Sequence, residues 1–236
     1  MRFAWKCELK QTRIAVSFSD EYKGYYPLLN EPYCKRCCNY GETEKTCNFH
    51  LRDKVDRTYA IGLYQKSSED LLSKHIRQLK QWRNRCVPLG LAMALCLDEV
   101  YKIKGIDCLV PVPLHKDELK HDKNSSIEYN HAFELATIIS RYSDDKLAVI
   151  DVLTKRRPEK MRSQPTYEDR WSSSKDLYQC EDHRAVARTS ILLIDDVRTS
   201  GATASACAKA LLDAGAKKVS LFVAGVNKYE GPAPQL

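Results

Sequence analysis

From Thr58 onward, short apolar runs alternate with segments in which apolar residues recur every three or four positions. The runs predict strands, read as YAIGLYQ (59–65), IDCLVPVP (106–113), LAVIDVL (147–153), ILLID (191–195) and VSLFVAGV (219–226). The intervening periodicity predicts helices over 67–84, 87–103, 130–142 and 204–215. Ser67 or Ser68 would cap the first helix, and Gly215 would end the last.

Strands that are apolar throughout and alternate with helices indicate an α/β fold, a parallel sheet flanked by helices on both faces. Ligands of such sheets bind beyond the carboxyl ends of the strands. The polar stretch from residue 154 to 188 is too long for a simple connection and predicts a binding loop or lid.

Residues 1–57 differ from the rest in composition and periodicity: they are polar, aromatic and cysteine-rich, and their apolar residues recur with little regularity. We therefore expect two parts, a small N-terminal element over 1–57 and the main domain over 58–236. Within the first part, Cys34 and Cys37 are separated by two residues, as are Cys47 and His50. Two such pairs predict a tetrahedral Zn²⁺ site, structural because all four positions are filled.

The alternative interpretation of this cluster is a set of free thiols. Cys38 could replace Cys37, and Cys7 is a candidate ligand from outside the cluster. The chain has ten cysteines, and in a reducing compartment they are expected to act as metal ligands, reactive thiols or core residues rather than disulfides.

The formal net charge of +7 suits anionic partners, either polyphosphate ligands or nucleic acid. The longest apolar run, residues 89–97, is too short to span a bilayer, and the first residues lack the apolar region of a secretory signal. We expect a cytoplasmic protein with no membrane contact. The sequence leaves the oligomeric state open, a homodimer included.

The segment ILLIDDVRTSGAT (191–203) combines a strand end with two kinds of ligand chemistry. A helix N-terminus has unpaired backbone N–H groups and a partial positive charge, so residues 199–203 predict a phosphate cradle. Asp195 and Asp196 accept hydrogen bonds and repel phosphate, which favours sugar hydroxyls or a metal ion as their partners. A strand, an acidic turn and a capped helix without a ligand is the alternative.

This segment resembles the PRPP-binding motif of type I phosphoribosyltransferases. LVPVPLHKDEL, YNHAFELA and RRPEKMRSQPTYEDRW resemble the ComF-like branch of that family, as does an N-terminal cysteine-rich zinc element. The resemblance implies that Asp195 and Asp196 contact the ribose hydroxyls. It also implies a 5-phosphate site, a pyrophosphate loop and a flexible closing loop, at Thr199, Ser200, Gly201, Ala202 and Thr203, at Leu114, His115 and Lys116, and at Arg156, Arg162, Gln164 and Arg170.

Arg198 falls at a spacer position that varies in the family and is given no role. The chain departs from the family pattern in the charged loop after His115, in Tyr129-Asn130-His131 for Phe-Asn-Gln, and in the serines at 172–174.

The function implied by the resemblance is transfer of ribose 5-phosphate from PRPP, with Mg²⁺, to an unknown nucleobase-like acceptor with release of pyrophosphate. The alternatives are a catalytically weak PRPP- or nucleotide-binding regulator and a nucleic-acid-associated accessory protein.

Overall fold

A computed structural model of the 236-residue chain describes most of its length. The described residues are 6–17, 23–48, 50, 53–121, 123, 128–144, 147–158, 167–174 and 176–227. None of the helices in these ranges is long and apolar enough to cross a membrane.

The described chain begins with a three-stranded antiparallel sheet that the sequence analysis missed. Its strands are β1 (Lys6–Lys10), β2 (Arg13–Ser17) and β3 (Lys23–Pro27), in that order. Ile14, Val16 and Tyr26 are buried in the same apolar core as the helices that follow. The strands are short and alternate with polar residues, which gives only a weak sequence signal. The boundary at residues 57 and 58 stays a prediction, because the two parts share this core.

The centre of the molecule is a five-stranded parallel sheet. Its strands are β4 (Thr58–Tyr64), β5 (Cys108–Pro111), β8 (Ala148–Val149), β11 (Ser190–Arg198) and β12 (Lys218–Asn227). The order is β4-β12-β11-β5-β8, with every neighbouring pair parallel. β11 lies in the middle, with Ile191 and Leu193 buried on one face and Leu192 and Ile194 buried on the other. The predicted α/β class, a parallel sheet flanked by helices, is therefore confirmed.

Two apolar layers cover this sheet. One face packs against α1 (Leu71–Gln78), α2 (Cys86–Leu95) and α3 (His131–Tyr142), through residues such as Leu89 and Leu135. The other face packs against α6 (Ala202–Asp213). The remaining short elements are β6 (Lys120–His121), β7 (Glu128–Tyr129), β9 (Leu153–Lys155), α4 (Tyr167–Ser174), β10 (Tyr178–Cys180) and α5 (His183–Val186).

Several of the predicted elements have different boundaries in the structure. The first helix begins later, and its N-cap is Asp70 rather than Ser67 or Ser68, because the Asp70 carboxylate accepts the Ser73 N–H at 2.8 Å. The helix predicted over 87–103 continues past α2 only as a π-helical turn, Cys96–Val100. The run at 147–153 is split between β8, at the sheet edge, and β9, which pairs with β10 antiparallel.

The last helix starts and stops where the glycines require. Gly201 has φ +82 and is the N-cap of α6, so the helix begins at Ala202 and not at residue 204. Gly215, with φ +99, lies just past the C-cap Ala214. Its N–H donates to Leu212 O at 2.9 Å while the Ala216 N–H donates to Leu211 O at 3.0 Å, which is the Schellman pattern.

Candidate functional site

The carboxyl end of β11 leads directly into the N-terminus of α6. We call residues 199–203 the phosphate loop. The left-handed conformation of Gly201 turns the chain into the helix. Because glycine has no side chain, the N-cap residue itself makes no side-chain hydrogen bond to the first turn. The Ala202 N–H donates a long hydrogen bond of 3.4 Å to the Ser200 hydroxyl, and the next amides of the first turn have no intrahelical acceptor. The loop therefore presents amides and hydroxyls that suit a phosphate.

Asp196, one of the two adjacent carboxylates, is buried and paired. Its side chain is 6% exposed, with Oδ2 lying 2.8 Å from Lys80 Nζ and Oδ1 lying 3.7 Å from His131 Nε2. Burial alone would raise the pKa of Asp196, but Lys80 and His131 outweigh it and hold that pKa well below its usual range. Asp196 is therefore an ionised carboxylate that two neighbouring groups already contact.

Asp195 has the opposite electrostatic environment. Burial of its carboxyl group, followed by the adjacent Asp196 charge, raises the pKa of Asp195 well above its ordinary value. Its Oδ1 accepts the Asp196 N–H at 2.8 Å, and the residue keeps partial exposure to solvent. A pair of carboxyl groups whose pKa values are driven apart in this way is typical of a functional site.

His131 approaches this pair closely. One ligand atom from each of His131, Asp195 and Asp196 lies within 4.8 Å of the others, an arrangement that could hold a metal ion. In the structure the ammonium group of Lys80 already neutralises Asp196. Asp195, which is partly exposed and lacks this ion pair, is therefore the better placed of the two to bind a divalent ion.

Arg198, which the sequence analysis left without a role, is buried beside the phosphate loop. Its guanidinium NH1 lies 2.9 Å from Asp53 Oδ2, and the two side chains are 4% and 1% exposed. A Cβ atom at Gly201 would lie only 2.5 Å from that same NH1, so glycine is required here for steric reasons as well as for its φ. Burial opposes the charge of Arg198, but Asp53 and Cys37 raise its pKa above the ordinary value.

The predicted pyrophosphate loop, Leu114, His115 and Lys116, follows β5 at the same edge of the sheet. His115 caps a short 3₁₀ turn, Lys116–Glu118, and the Lys116 side chain is exposed. Glu118 Oε2 accepts a hydrogen bond from Lys155 Nζ at 2.6 Å, and both side chains are largely buried. This ion pair ties the loop to β9, where the long polar segment begins.

The structure describes only part of the predicted flexible loop. Arg156 donates to Gln179 Oε1 at 2.6 and 3.0 Å, so its side chain follows the β9–β10 pair. Arg162 and Gln164 lie outside the described residues, and of Arg170 only the backbone, within α4, is described. Their assignment to the loop that closes over PRPP stays a prediction.

The cysteine cluster, Cys34, Cys37, Cys47 and His50, comes together as the spacing predicts, with all four ligand atoms within 4.8 Å of one another. Cys34 Sγ lies 3.5 Å from His50 Nδ1, and Cys37 Sγ lies 3.5 Å from Cys47 Sγ. Tetrahedral Zn²⁺ with bonds of about 2.0–2.3 Å requires ligand separations of about 3.6–3.8 Å. The cluster therefore fits zinc after a small adjustment.

The two alternative ligands lie elsewhere. Cys38, with φ 59, donates its Sγ–H to Thr58 O at 3.1 Å, and Cys7 is directed at Pro88 O at 3.6 Å from within β1. Trp171 of α4 packs against the cluster instead.

Four site residues escaped the sequence analysis, namely Lys80, His131, Asp53 and Arg198. Lys80 falls inside the helix predicted over 67–84 but lies just past the end of α1, and His131 is the first residue of α3, behind the N-cap Asn130. Those positions indicate a place at a helix end and do not identify a partner, because all the partners are distant in the sequence. The Asp53–Arg198 pair spans the border between the two predicted parts of the chain, which local patterns do not cross.

No family model and no curated protein matches the chain. Among solved structures it is similar to a glutamine PRPP amidotransferase from B. subtilis complexed with ADP and GMP, at 16% identity and a TM-score of 0.36. That alignment covers 92% of this chain and 36% of the other. A structure described as the allosteric regulatory enzyme of purine biosynthesis gives the same identity and TM-score, with 93% and 36% covered. The chain thus spans about a third of the length of these proteins.

Proposed function

We propose that this chain is a PRPP-dependent phosphoribosyltransferase of ComF-like type. One observation carries the proposal, namely an uncapped helix N-terminus directly beside a carboxyl pair at the end of the central strand. The phosphate loop offers donors for a phosphoryl group, and the Asp195–Asp196 pair offers acceptors for hydroxyl groups. A sugar phosphate such as the ribose 5-phosphate part of PRPP needs both, side by side.

In the proposed reaction the chain would act mainly by positioning the substrate and stabilising its charge. The phosphate loop would hold the 5-phosphate, and the carboxyl pair would fix the ribose through its hydroxyls. Lys116 and His115 would bind the pyrophosphate as it leaves C1 of the ribose. Asp195 would help to hold Mg²⁺ together with the PRPP phosphates, and that ion would supply neutralisation of the charge on the leaving group.

A regulator that binds PRPP without efficient turnover is the second candidate. The contacts of Asp196 with Lys80 and His131 favour it, because they leave fewer acceptor positions on this carboxylate for ribose hydroxyls. Pyrophosphate release, measured together with PRPP affinity, distinguishes this regulator from the transferase.

The test is release of pyrophosphate from PRPP and Mg²⁺, measured over a panel of nucleobases, together with PRPP affinity by calorimetry. For the transferase we expect micromolar PRPP binding and base-dependent release of one pyrophosphate for each base consumed. Binding without release over the whole panel would support the regulator. If the wild-type chain binds no PRPP at millimolar concentration, both proposals are wrong.

Association with nucleic acid is the third candidate, and one surface favours it. The outer face of the β1–β3 sheet carries Lys6, Arg13 and an ion pair between Lys10 and Glu8, with the Arg13 guanidinium 4.0 Å above the half-exposed ring of Tyr25. Basic residues around an aromatic ring suit single-stranded nucleic acid.

We expect Arg13→Ala together with Tyr25→Ala to weaken binding of a labelled single-stranded oligonucleotide about tenfold in fluorescence anisotropy, with a flatter salt dependence. Lys209→Ala, on the far exposed side of α6, is the control. Equal binding by the double variant and the wild type would remove this surface from consideration.

A further inference from the structure

Arg198 connects two regions that the sequence assigns to different parts of the chain. Its side chain leaves the end of β11, and its guanidinium group lies across Gly201, where even a methyl group would collide with it. The buried partner of this cation is Asp53, from the cysteine-rich element. The shape of the phosphate loop at Gly201 therefore depends on where Asp53 holds the guanidinium.

Asp53 is in turn fixed by the cysteine cluster and by α6. The Asp53 N–H donates to the carbonyl of His50, a member of the cluster, at 3.2 Å. Asp53 Oδ1 accepts the Val55 N–H at 3.0 Å, which leaves Oδ2 for Arg198. The next residue, Lys54, donates its backbone N–H to the Ser205 hydroxyl on α6 at 3.0 Å. A continuous path of contacts therefore runs from His50 to the first turn of α6.

The charges along this path are complementary. Three thiolates, one neutral imidazole and Zn²⁺ would give the cluster a net charge of about −1. Arg198 lines a small cleft together with Cys37, Thr199 and Ser200, so its cation lies between the cluster and the phosphate loop. A buried cation is stable only with anions around it, and Asp53 with the metallated cluster provides them.

We propose that Asp53 and Arg198 are positioning residues through which the cysteine-rich element sets the conformation of the phosphate loop. The element then acts on ligand binding as well as on stability. The identity of the ligand rests on the proposed function, whereas the positioning of the loop does not.

The test compares Asp53→Asn with Asp56→Asn by hydrogen–deuterium exchange, following peptides that cover residues 199–205. Asn keeps an acceptor for the Val55 N–H but removes the charge that holds Arg198. We expect amide exchange in the loop to become at least tenfold faster in Asp53→Asn. Asp56, three residues further on, forms only a half-exposed ion pair with Lys218, so Asp56→Asn should exchange like the wild type.

Affinity for PRPP and for inorganic phosphate provides the second measurement. We expect Asp53→Asn to weaken both about tenfold with zinc content unchanged, and Asp53→Glu to restore part of the loss. Should Asp53→Asn fail to fold, the double variant Asp53→Asn, Arg198→Met removes both charges and leaves no lone buried cation; the same faster exchange is expected of it.

Removing zinc from the wild-type chain with a chelator completes the test, because it should also speed exchange in the loop while peptides over α3 stay protected. Unchanged exchange of residues 199–205 in a folded, zinc-loaded Asp53→Asn variant would overturn the inference, as would unchanged exchange after zinc removal. If the loop responds as expected but the wild-type chain binds no PRPP, the proposed function fails and the positioning role stands.

Discussion

Replacing Cys34 with serine should release zinc and unfold the region around the cysteine cluster, a large loss of stability for a single substitution in this chain. Metal binding by such a site contributes folding free energy directly, on the order of 10 kcal/mol in small zinc modules. The fully buried Cys34 lies 3.5 Å from His50, and a serine hydroxyl is a poor substitute for a thiolate ligand. Zinc measured by mass spectrometry should fall from about one to below about 0.1 per chain.

The loss should reach beyond the cluster. Val55 belongs to the main apolar core, and Trp171 of α4 packs on the cysteines, so the melting temperature should fall by about 10 °C if about 3–5 kcal/mol is lost. Cys38→Ser is the matched control, since Cys38 is equally buried but donates to Thr58 O, a bond that a serine hydroxyl can also make. Zinc retained by Cys34→Ser, or lost by Cys38→Ser, would contradict the ligand assignment.

The parts of the fold that were predicted correctly are those that depend on short-range sequence patterns, such as apolar runs and cysteine spacing. β11 and β12 each contain a run of mostly apolar residues, ILLI and VSLFVAGV, and burial on both faces of a central parallel strand produces that kind of run. The cluster ligands lie within 17 residues of one another, at intervals that a knuckle requires. In such cases the local sequence and the tertiary structure impose the same pattern.

The missed features depend on contacts between distant segments. The β1–β3 sheet is stabilised by burying Tyr26 against α1, where the Tyr26 hydroxyl is hydrogen-bonded to the buried His75. Likewise, Lys80 reaches Asp196 across more than a hundred residues, and no local pattern distinguishes this lysine from its exposed neighbours. The electrostatics of the candidate site thus come from tertiary structure, whereas its backbone geometry comes from the motif.

Converting Asp195 and Asp196 together to asparagine should abolish PRPP binding, the largest functional effect expected of a substitution in this site. Each carboxyl group is proposed to accept hydrogen bonds from ribose hydroxyls, and such a bond contributes about 1.5–3 kcal/mol where the acceptor is ionised, as it is at Asp196. The double variant should therefore lose at least about 100-fold in affinity by calorimetry. Asp213→Asn, at an exposed ion pair on α6, is the control and should bind normally.

The two single variants should change stability in opposite directions, which tests the electrostatics of the site independently of PRPP. Because the folded-state pKa of Asp195 is raised, its ionised form destabilises the folded chain above the unfolded pKa, and Asp195→Asn should increase the free energy of unfolding at pH 7. The pKa of Asp196 is lowered by Lys80 and His131, so Asp196→Asn should lose stability at pH 7, by about 3–5 kcal/mol. Denaturant unfolding at pH 7 measures both, and PRPP affinity equal to wild type in the double variant would exclude the ribose-hydroxyl role for this pair.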